Sequence, residues 1–205
     1  MRTLLLAAAA ISLVASPAFA RKPTAQERAD IEDLAYRYIF ALDWRDAETY
    51  ANTFAPDGVL NYGGGQAVGR DEIRAVVQPI RDREMAAARE AEAAKQAELG
   101  DDYVAPPSDD AVGQGSGHNQ HFVTAMVIDV AEDGNSAVAQ AYWTAISGVE
   151  PRLSSYGHYV DRLVKIDGEW LYSSRRTYNE QAEGRETFPF INPVTNPEQY
   201  GAELE

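Results

Sequence analysis

The sequence predicts an α+β fold in which helices pack on one face of a curved, mostly antiparallel sheet. Helical patterns dominate the first half of the chain, and strand patterns dominate the second half. Short turns rich in glycine and aspartate separate the later strands. Helices followed by consecutive strands typically form one layer against the sheet that those strands build.

The first twenty residues have the pattern of a secretory signal peptide. Arg2 supplies a positive charge, residues 4–14 are almost wholly apolar, and residues 18–20 read Ala-Phe-Ala, a cleavage signal. The apolar run is shorter than the about 20 residues that a membrane-spanning helix needs. We therefore expect export to the periplasm, or secretion, after cleavage near Ala20. The mature domain is predicted over residues 21–180, with a C-terminal tail over 181–205.

The composition excludes several kinds of partner and chemistry. The chain contains no cysteine, so it has no disulfide, thiol nucleophile or thiolate metal site. Its formal net charge of −14 repels nucleic acid and anionic lipid surfaces, so we expect neither as a partner.

The amino-terminal helix is predicted from a capping box and a helical stripe. Thr24 and Glu27 stand in the spacing of a capping box, which marks a helix start. An apolar stripe follows at helical spacing: Ile31, Leu34, Tyr38 and Leu42. Asp43 follows this stripe, and Asp46 is predicted to cap a second, short helix that runs through Phe54.

The next segment is predicted to contain a turn, a short strand and a third helix. Residues 55–58, Ala-Pro-Asp-Gly, should end the second helix, and a strand over 59–62 should lead into a glycine turn. A helix is expected from Gly69, and Pro79 should end or kink it because proline lacks the backbone N–H. Residues 81–117 are rich first in alanine and charge, then in polar loop residues. We predict that they form a partly helical insertion that could be mobile.

Four strand patterns complete the domain. They cover residues 120–130, 137–147, 155–166 and 169–178, with turn sequences at 132–135 and 167–168. Strands joined by such short turns form an antiparallel meander.

In this order the motifs resemble the SnoaL-like branch of the NTF2-like superfamily. The matching pieces are residues 41–46, 54–57, 69–70 and 167–170, and the resemblance extends over about 25–178. It implies a cone-shaped α+β barrel around a mostly apolar cavity. The active-site pattern is similar to that of scytalone dehydratase-, bile-acid 7α-dehydratase- and hexachlorocyclohexane dehydrochlorinase-type lyases, which use an Asp–His pair.

Two residues match that pair, Asp43 and His121. A carboxylate at the inner end of an apolar helix and a histidine that opens a strand are both costly to bury without a partner. If they meet, each satisfies the other, and the imidazole becomes an oriented base. The resemblance implies that His121 abstracts a proton while Asp43 orients the ring.

The resemblance also assigns supporting roles to tyrosines and an arginine. Tyr38 and Tyr62 match catalytic or pocket tyrosines, and Arg175 matches a ligand-binding arginine. Tyr142 and Tyr159 complete the predicted ligand-binding set. The strand over 141–146 lacks the second acidic or imidazole group of the dehydratases, so the general acid remains open among the tyrosines and water.

Alternation along the strands decides which of several neighbouring side chains face inward. Successive strand residues point to opposite faces, so Arg175 and Arg176 cannot both enter the interior, and the register favours Arg175. By the same rule we expect Tyr159 rather than His158 to face inward. His118 and His121 fall on opposite faces of an extended strand, so we expect no metal site.

Two functions are compatible with these features. The first is a cofactor-independent lyase or isomerase that acts on a hydrophobic small molecule. The second is a non-catalytic small-molecule binding or interaction domain, in which Asp43 and His121 form a structural pair. An exposed outer sheet face would suit a homodimer or homotrimer.

Overall fold

The computed structural model describes residues 19–63, 65–100, 103–104, 120–148, 151–181 and 191–196. Within these ranges the chain forms three helices and seven strands. The helices are α1 (Ala25–Asp43), α2 (Ala47–Asn52) and α3 (Gly69–Leu99). The strands are β1 (Phe19–Arg21), β2 (Phe54–Tyr62), β3 (Gly65–Val68), β4 (Gln120–Ala131), β5 (Ser136–Ser147), β6 (Arg152–Ile166) and β7 (Glu169–Asn179).

All seven strands belong to one sheet in the order β1-β4-β5-β6-β7-β2-β3. Strands β4 to β7 form the predicted antiparallel meander, and β2 pairs with β7 in parallel. The predicted α+β class is confirmed. The sheet has two edges, at β1 and β3, so the predicted closure into a barrel is wrong for the strands described.

One face of the sheet, called the inner face, carries the main hydrophobic core. The side chains on this face include Trp143 on β5, Tyr159 on β6 and Tyr172 on β7. They pack against Ile31 and Tyr38 of α1. The opposite side is called the outer face. The helices therefore cover the inner face, as the α+β prediction requires.

The second helix ends earlier than the sequence pattern suggests. It stops at Asn52, and residues 55–58 lie inside β2 rather than in a turn. The β2–β7 register shifts between Phe54 and Val59. Pro56 lies in this irregular stretch. Proline is tolerated there because the strand ladder does not require the backbone N–H that proline lacks. Tertiary pairing with β7 thus overrides the local turn signal.

Helix α3 continues through Pro79, so of the two predicted outcomes the helix does not end there, and the kink stays a prediction. A proline removes one intrahelical hydrogen bond, but the alanine- and glutamate-rich sequence that follows strongly favours helix. The helical part of the predicted insertion is consequently a direct extension of α3 to Leu99. Residues 101–102 and 105–117 of that insertion lie outside the described residues.

The start of the described chain is anchored to both layers. The predicted cleavage site after Ala20 falls inside β1, where Arg21 pairs with Val130 of β4. The Arg21 guanidinium donates two hydrogen bonds to Glu27, at 2.8 and 2.7 Å. Thr24 and Glu27 form the predicted capping box. Residues 1–18, 182–190 and 197–205, parts of the predicted leader and tail, lie outside the described residues.

The Glu27 carboxylate should make stability depend on pH. Hydrogen bonds from Arg21 and then from the Thr24 backbone lower the pKa of Glu27 from 4.5 to about 2. Because the folded pKa is depressed, this contribution is present above pH 4.5 and is lost as the pH falls towards 2. We expect Glu27→Gln to reduce the unfolding temperature at pH 7, while variant and wild type converge near pH 2. Thermal unfolding followed by circular dichroism tests this, and a constant difference at every pH would contradict it.

Candidate active site

Asp43 and His121 form a close pair between the end of α1 and the start of β4. The Nδ1 atom of His121 lies 2.5 Å from Oδ1 of Asp43. The backbone N–H of His121 donates a second hydrogen bond to Oδ2 at 2.8 Å. Both carboxylate oxygens therefore hold one residue, which fixes the position of the histidine backbone and the orientation of its ring.

The local sequence explains why Asp43 needs such a partner. Asp43 is the last residue of α1, where the unsatisfied carbonyl groups make the helix end partly negative and unfavourable for a carboxylate. After Trp44, the chain turns through Arg45 with φ of 56° and enters α2, which Asp46 caps. The two N–H groups of His121 offset the unfavourable position of the Asp43 carboxylate.

The pair is only partly buried. The side chain of His121 is 16% exposed and that of Asp43 is 13% exposed. No residue in the described ranges makes a hydrogen bond to the second ring nitrogen, Nε2. The indole of Trp143 lies 6.1 Å from the imidazole, centroid to centroid, and its buried N–H has no hydrogen-bond partner among the residues that the structure describes.

Arg175 lies deeper on the inner face, in a cage of aromatic rings. It donates two hydrogen bonds to Asp161, at 2.8 and 2.7 Å. Its Cζ lies 4.1, 4.1 and 4.0 Å from the ring centroids of Tyr38, Tyr159 and Tyr172. Burial alone would lower the pKa of Arg175, but the Asp161 carboxylate holds it well above its ordinary value. The guanidinium therefore stays charged.

Three predicted site residues face inward as expected but are covered by protein. Tyr38, Tyr159 and Arg175 lie in the core, and Arg175 has 0% exposure. The hydroxyl groups of Tyr38 and Tyr50 are hydrogen-bonded at 2.9 Å. Because Arg175 has no exposed surface, it offers no contact to a ligand in this structure. Its predicted ligand contact would require the cage to open.

The other two predicted site residues, Tyr62 and Tyr142, lie in different surroundings. Tyr62 ends β2, is half-buried and packs against the core, so its predicted role is still open. Tyr142 is 60% exposed and pairs with Thr124 and His158 on the outer face. Trp143 takes the inward position on β5, so Tyr142 lies on the face opposite His121, and its role in ligand binding stays a prediction.

The expected orientations of the neighbouring histidine and tyrosine on β6 are confirmed. Tyr159 is buried in the core, while His158 lies on the outer face, stacked on Tyr178 at 4.6 Å. The Nδ1 atom of His158 is 3.0 Å from a carboxylate oxygen of Glu180. This second His–carboxylate pair lies on the side of the sheet opposite Asp43 and His121.

The sequence pattern did not reveal Asp161 or Trp143. If the hairpin of β6 and β7 had no register shift, counting outward from the turn at residues 167–168 would pair Asp161 with Ser174. A register shift between Arg162 and Leu163 moves the pairing by one residue, so Asp161 faces Arg175 instead. Alternation shows that only one of Tyr142 and Trp143 can point inward, but it does not show which of the two does.

The described residues contain no group of three or more side chains that could hold a metal ion. His118, one member of the alternative considered from the sequence, lies outside the described ranges. Among the described helices, none is both long and apolar enough to cross a membrane.

A helical layer over one face of a single mixed sheet defines the α+β class of this protein. Within that class the family is identified by sequence: the SnoaL-like domain matches residues 23–176. The chain therefore belongs to the SnoaL-like family, and the predicted family is confirmed. No curated protein sequence matches this chain.

Solved structures similar to this chain share its fold at low sequence identity. A protein with a cystatin-like fold from Nostoc punctiforme is 21% identical, with a TM-score of 0.58, over 80% of this chain and 99% of that one. A candidate scytalone dehydratase from Novosphingobium aromaticivorans is 21% identical, with a TM-score of 0.51, over 75% and 84%. A protein from Catenulispora acidiphila, in complex with S-DNPA, is 23% identical, with a TM-score of 0.55, over 77% and 96%.

Proposed function

We propose that this protein is a cofactor-independent lyase or isomerase in which His121 removes a proton from a hydrophobic small molecule. The observation that carries the proposal is the double contact between Asp43 and His121. With Nδ1–H donated to Asp43, the lone pair of the neutral imidazole lies on Nε2. No described residue bonds that nitrogen, so it is available as a base.

The reaction follows from this arrangement. Nε2 takes a proton from a carbon next to a carbonyl or leaving group, and the C–H electron pair moves into a new double bond. In a lyase this expels the leaving group with its bonding electrons; in an isomerase it forms an enolate that is reprotonated at another carbon. The Asp43 carboxylate stabilises the imidazolium formed in the first step.

An unused donor supports a negative charge that develops on the substrate. The N–H of Trp143 is buried without a partner, and its indole lies beside the His121 ring. A donor that is already in place where negative charge develops lowers the barrier without reorganisation. Trp143 therefore joins Tyr62 as a candidate to bind the oxyanion or leaving group.

Relatives support the chemical class of this proposal. A candidate scytalone dehydratase and a protein in complex with S-DNPA share the fold. We infer from family membership, and from Trp143 and Ala145 beside His121, that the ligand of this chain is a hydrophobic small molecule.

One observation favours a second function, non-catalytic ligand binding. The inner face around Tyr38, Tyr159 and Arg175 is packed, leaving these groups no contact with a ligand. A domain of this kind could hold a ligand near His121 without transforming it. The two functions differ in whether a bound ketone loses a proton.

Deuterium exchange into 2-tetralone in heavy water distinguishes them. This probe has two rings and acidic C–H groups beside a carbonyl. We expect the wild-type protein to accelerate the exchange over buffer and His121→Asn to lose at least about 100-fold of that acceleration. Proton NMR of the ketone measures the rate.

The outer face supplies a matched control for this experiment. His158 also contacts a carboxylate, Glu180, but on the side of the sheet away from Asp43. His158→Asn should therefore exchange deuterium like the wild type. Equal rates for wild type and His121→Asn would refute proton abstraction by His121 and favour the binding function.

A further inference from the structure

Strand β4 contains one residue more than its partner β5 at a single point. Thr124 and Val127 are three positions apart, but the residues of β5 with which they pair are only two apart. Ala125 and Met126 therefore stand together opposite one residue of β5, which is the pattern of a β-bulge. Ala125 has φ of 53°, in the left-handed region that alanine rarely adopts. Its side chain is exposed, so burial of the methyl group does not offset this strain.

The bulge changes which residues of β4 face inward. His121 pairs with Ala145, and Ile128 pairs with Ala139, and both alanines are buried on the inner face. His121 and Ile128 are seven positions apart, an odd number, so a regular strand would place them on opposite faces. The extra residue at the bulge brings both of them to the same face.

A regular strand would bury more apolar surface than the bulged strand does. If β4 kept the alternation that Ile128 follows, Phe122 would point inward and His121 would point outward. In the structure Phe122 is 46% exposed and lies on the outer face. A phenyl ring gains more from burial than an imidazole. Apolar burial and the strain at Ala125 thus both favour the regular strand.

The contact with Asp43 favours the bulged strand instead. The backbone N–H and Nδ1 of His121 lie 2.8 and 2.5 Å from the two oxygens of the Asp43 carboxylate. In the regular strand Phe122 would take the inward position and leave the carboxylate without these contacts, which is costly for a largely buried charge. Conflicts between local preference and the observed structure are concentrated at functional sites.

We propose that Ala125 is a positioning residue, whose left-handed conformation holds the bulge that places His121 against Asp43. Ala125 contacts no reacting atom and acts only through the register of β4. The proposal rests on the proposed function for the role of His121 as a base, but the placement of the ring can be measured without turnover. Phe122 is the residue that competes with His121 for the inward position.

Ala125→Val tests this proposal, because a β-branched side chain disfavours the left-handed region more strongly than alanine does. Proton–nitrogen correlation spectra of the histidine rings, assigned with His121→Asn, show which ring nitrogen carries the proton. We expect the wild type to show the Nδ1–H form of His121 and Ala125→Val to lose about tenfold or more of that signal. The acceleration of deuterium exchange should fall by the same factor.

Removal of the competing phenyl ring should reverse the effect. With Phe122→Thr the regular strand no longer gains a buried ring, so the double variant with Ala125→Val should regain the Nδ1–H signal to within about threefold of the wild type. Phe122→Thr alone should match the wild type, since Phe122 lies on the outer face. Strain that only loosened the fold would not be relieved at Phe122, so a double variant that fails to recover would overturn the proposal.

Asp167 supplies the matched control for backbone strain. It has φ of 51° and is exposed in the turn between β6 and β7. Asp167→Val puts the same side chain into the same backbone region, so it should lose stability while it keeps the Nδ1–H signal and the exchange rate. An equal loss of signal in Asp167→Val and Ala125→Val would attribute the effect to strain alone and refute positioning by Ala125.

Ala125→Gly tests the opposite direction and serves if Ala125→Val does not fold. Glycine accepts the left-handed region without steric cost, so it should favour the bulge. Solvent exchange of the His121 amide, which donates to Asp43, should slow by about threefold or more relative to the Ile128 amide. An unchanged ratio of the two rates would overturn the proposal. If the spectra follow these expectations but the wild type exchanges no deuterium into 2-tetralone, positioning by Ala125 is supported and catalysis is refuted.

Discussion

Asp161→Asn should lower the free energy of unfolding by about 3–5 kcal/mol, because it leaves the buried Arg175 charge without its counter-ion. Asp161 is 1% and Arg175 is 0% exposed, and two hydrogen bonds join them. The three tyrosine rings around the guanidinium cannot replace a full negative charge. Urea denaturation measures the loss.

Two comparisons test whether this loss of stability arises from an unpaired buried charge. Asp129→Asn breaks a pair with Lys22 at the surface, so it should cost less than about 1 kcal/mol. Replacing both members, Asp161→Leu with Arg175→Met, should cost less than Asp161→Asn alone, since no charge remains in the core. A double variant as unstable as the single one would contradict this account.

Asp43→Asn should reduce the acceleration of deuterium exchange by about 10²–10⁴-fold. The asparagine oxygen can still accept the backbone N–H of His121, which leaves the amide nitrogen facing Nδ1. An amide nitrogen is a donor, so it favours the tautomer with the proton on Nε2. That tautomer has no lone pair available to take a proton from the ligand.

Asp46→Asn is the control for this replacement. Asp46 caps α2 three residues after Asp43, and asparagine is an equally good cap. Its stability and exchange rate should match those of the wild type. If Asp43→Asn also retains the full rate, Asp43 does not set the tautomer of His121, and the pair is structural.

The features predicted correctly from sequence depend on local signals. Thr24 and Glu27 specify the start of α1 within a few residues, and the four strands of the meander follow from alternation and turn residues. The contact between Asp43 and His121 was predicted for two reasons. Each side chain is costly to bury without a polar partner, and the family resemblance pairs the two residues.

The features that escaped prediction depend on contacts distant in sequence. Residues 55–58 have the local sequence pattern of a turn, but the parallel pairing of β2 with β7 makes them part of a strand. The shifted register on β6 and β7 brings Asp161 opposite Arg175, which no local count of residues reveals. Tyr142 and Trp143 are both suitable for an interior, and only the packing of the whole sheet decides between them.

The parallel pairing of β2 with β7 has a consequence for the order of folding. Leu60 pairs with Arg175, so residues from the early and late parts of the chain must meet to complete the sheet. The hairpins of β4 to β7 close short loops and can form quickly, whereas β2 must wait until β7 has left the ribosome. During synthesis the helices therefore lack a finished surface to pack on. A nascent chain of this kind keeps its apolar strand and helix faces exposed until its last strand arrives.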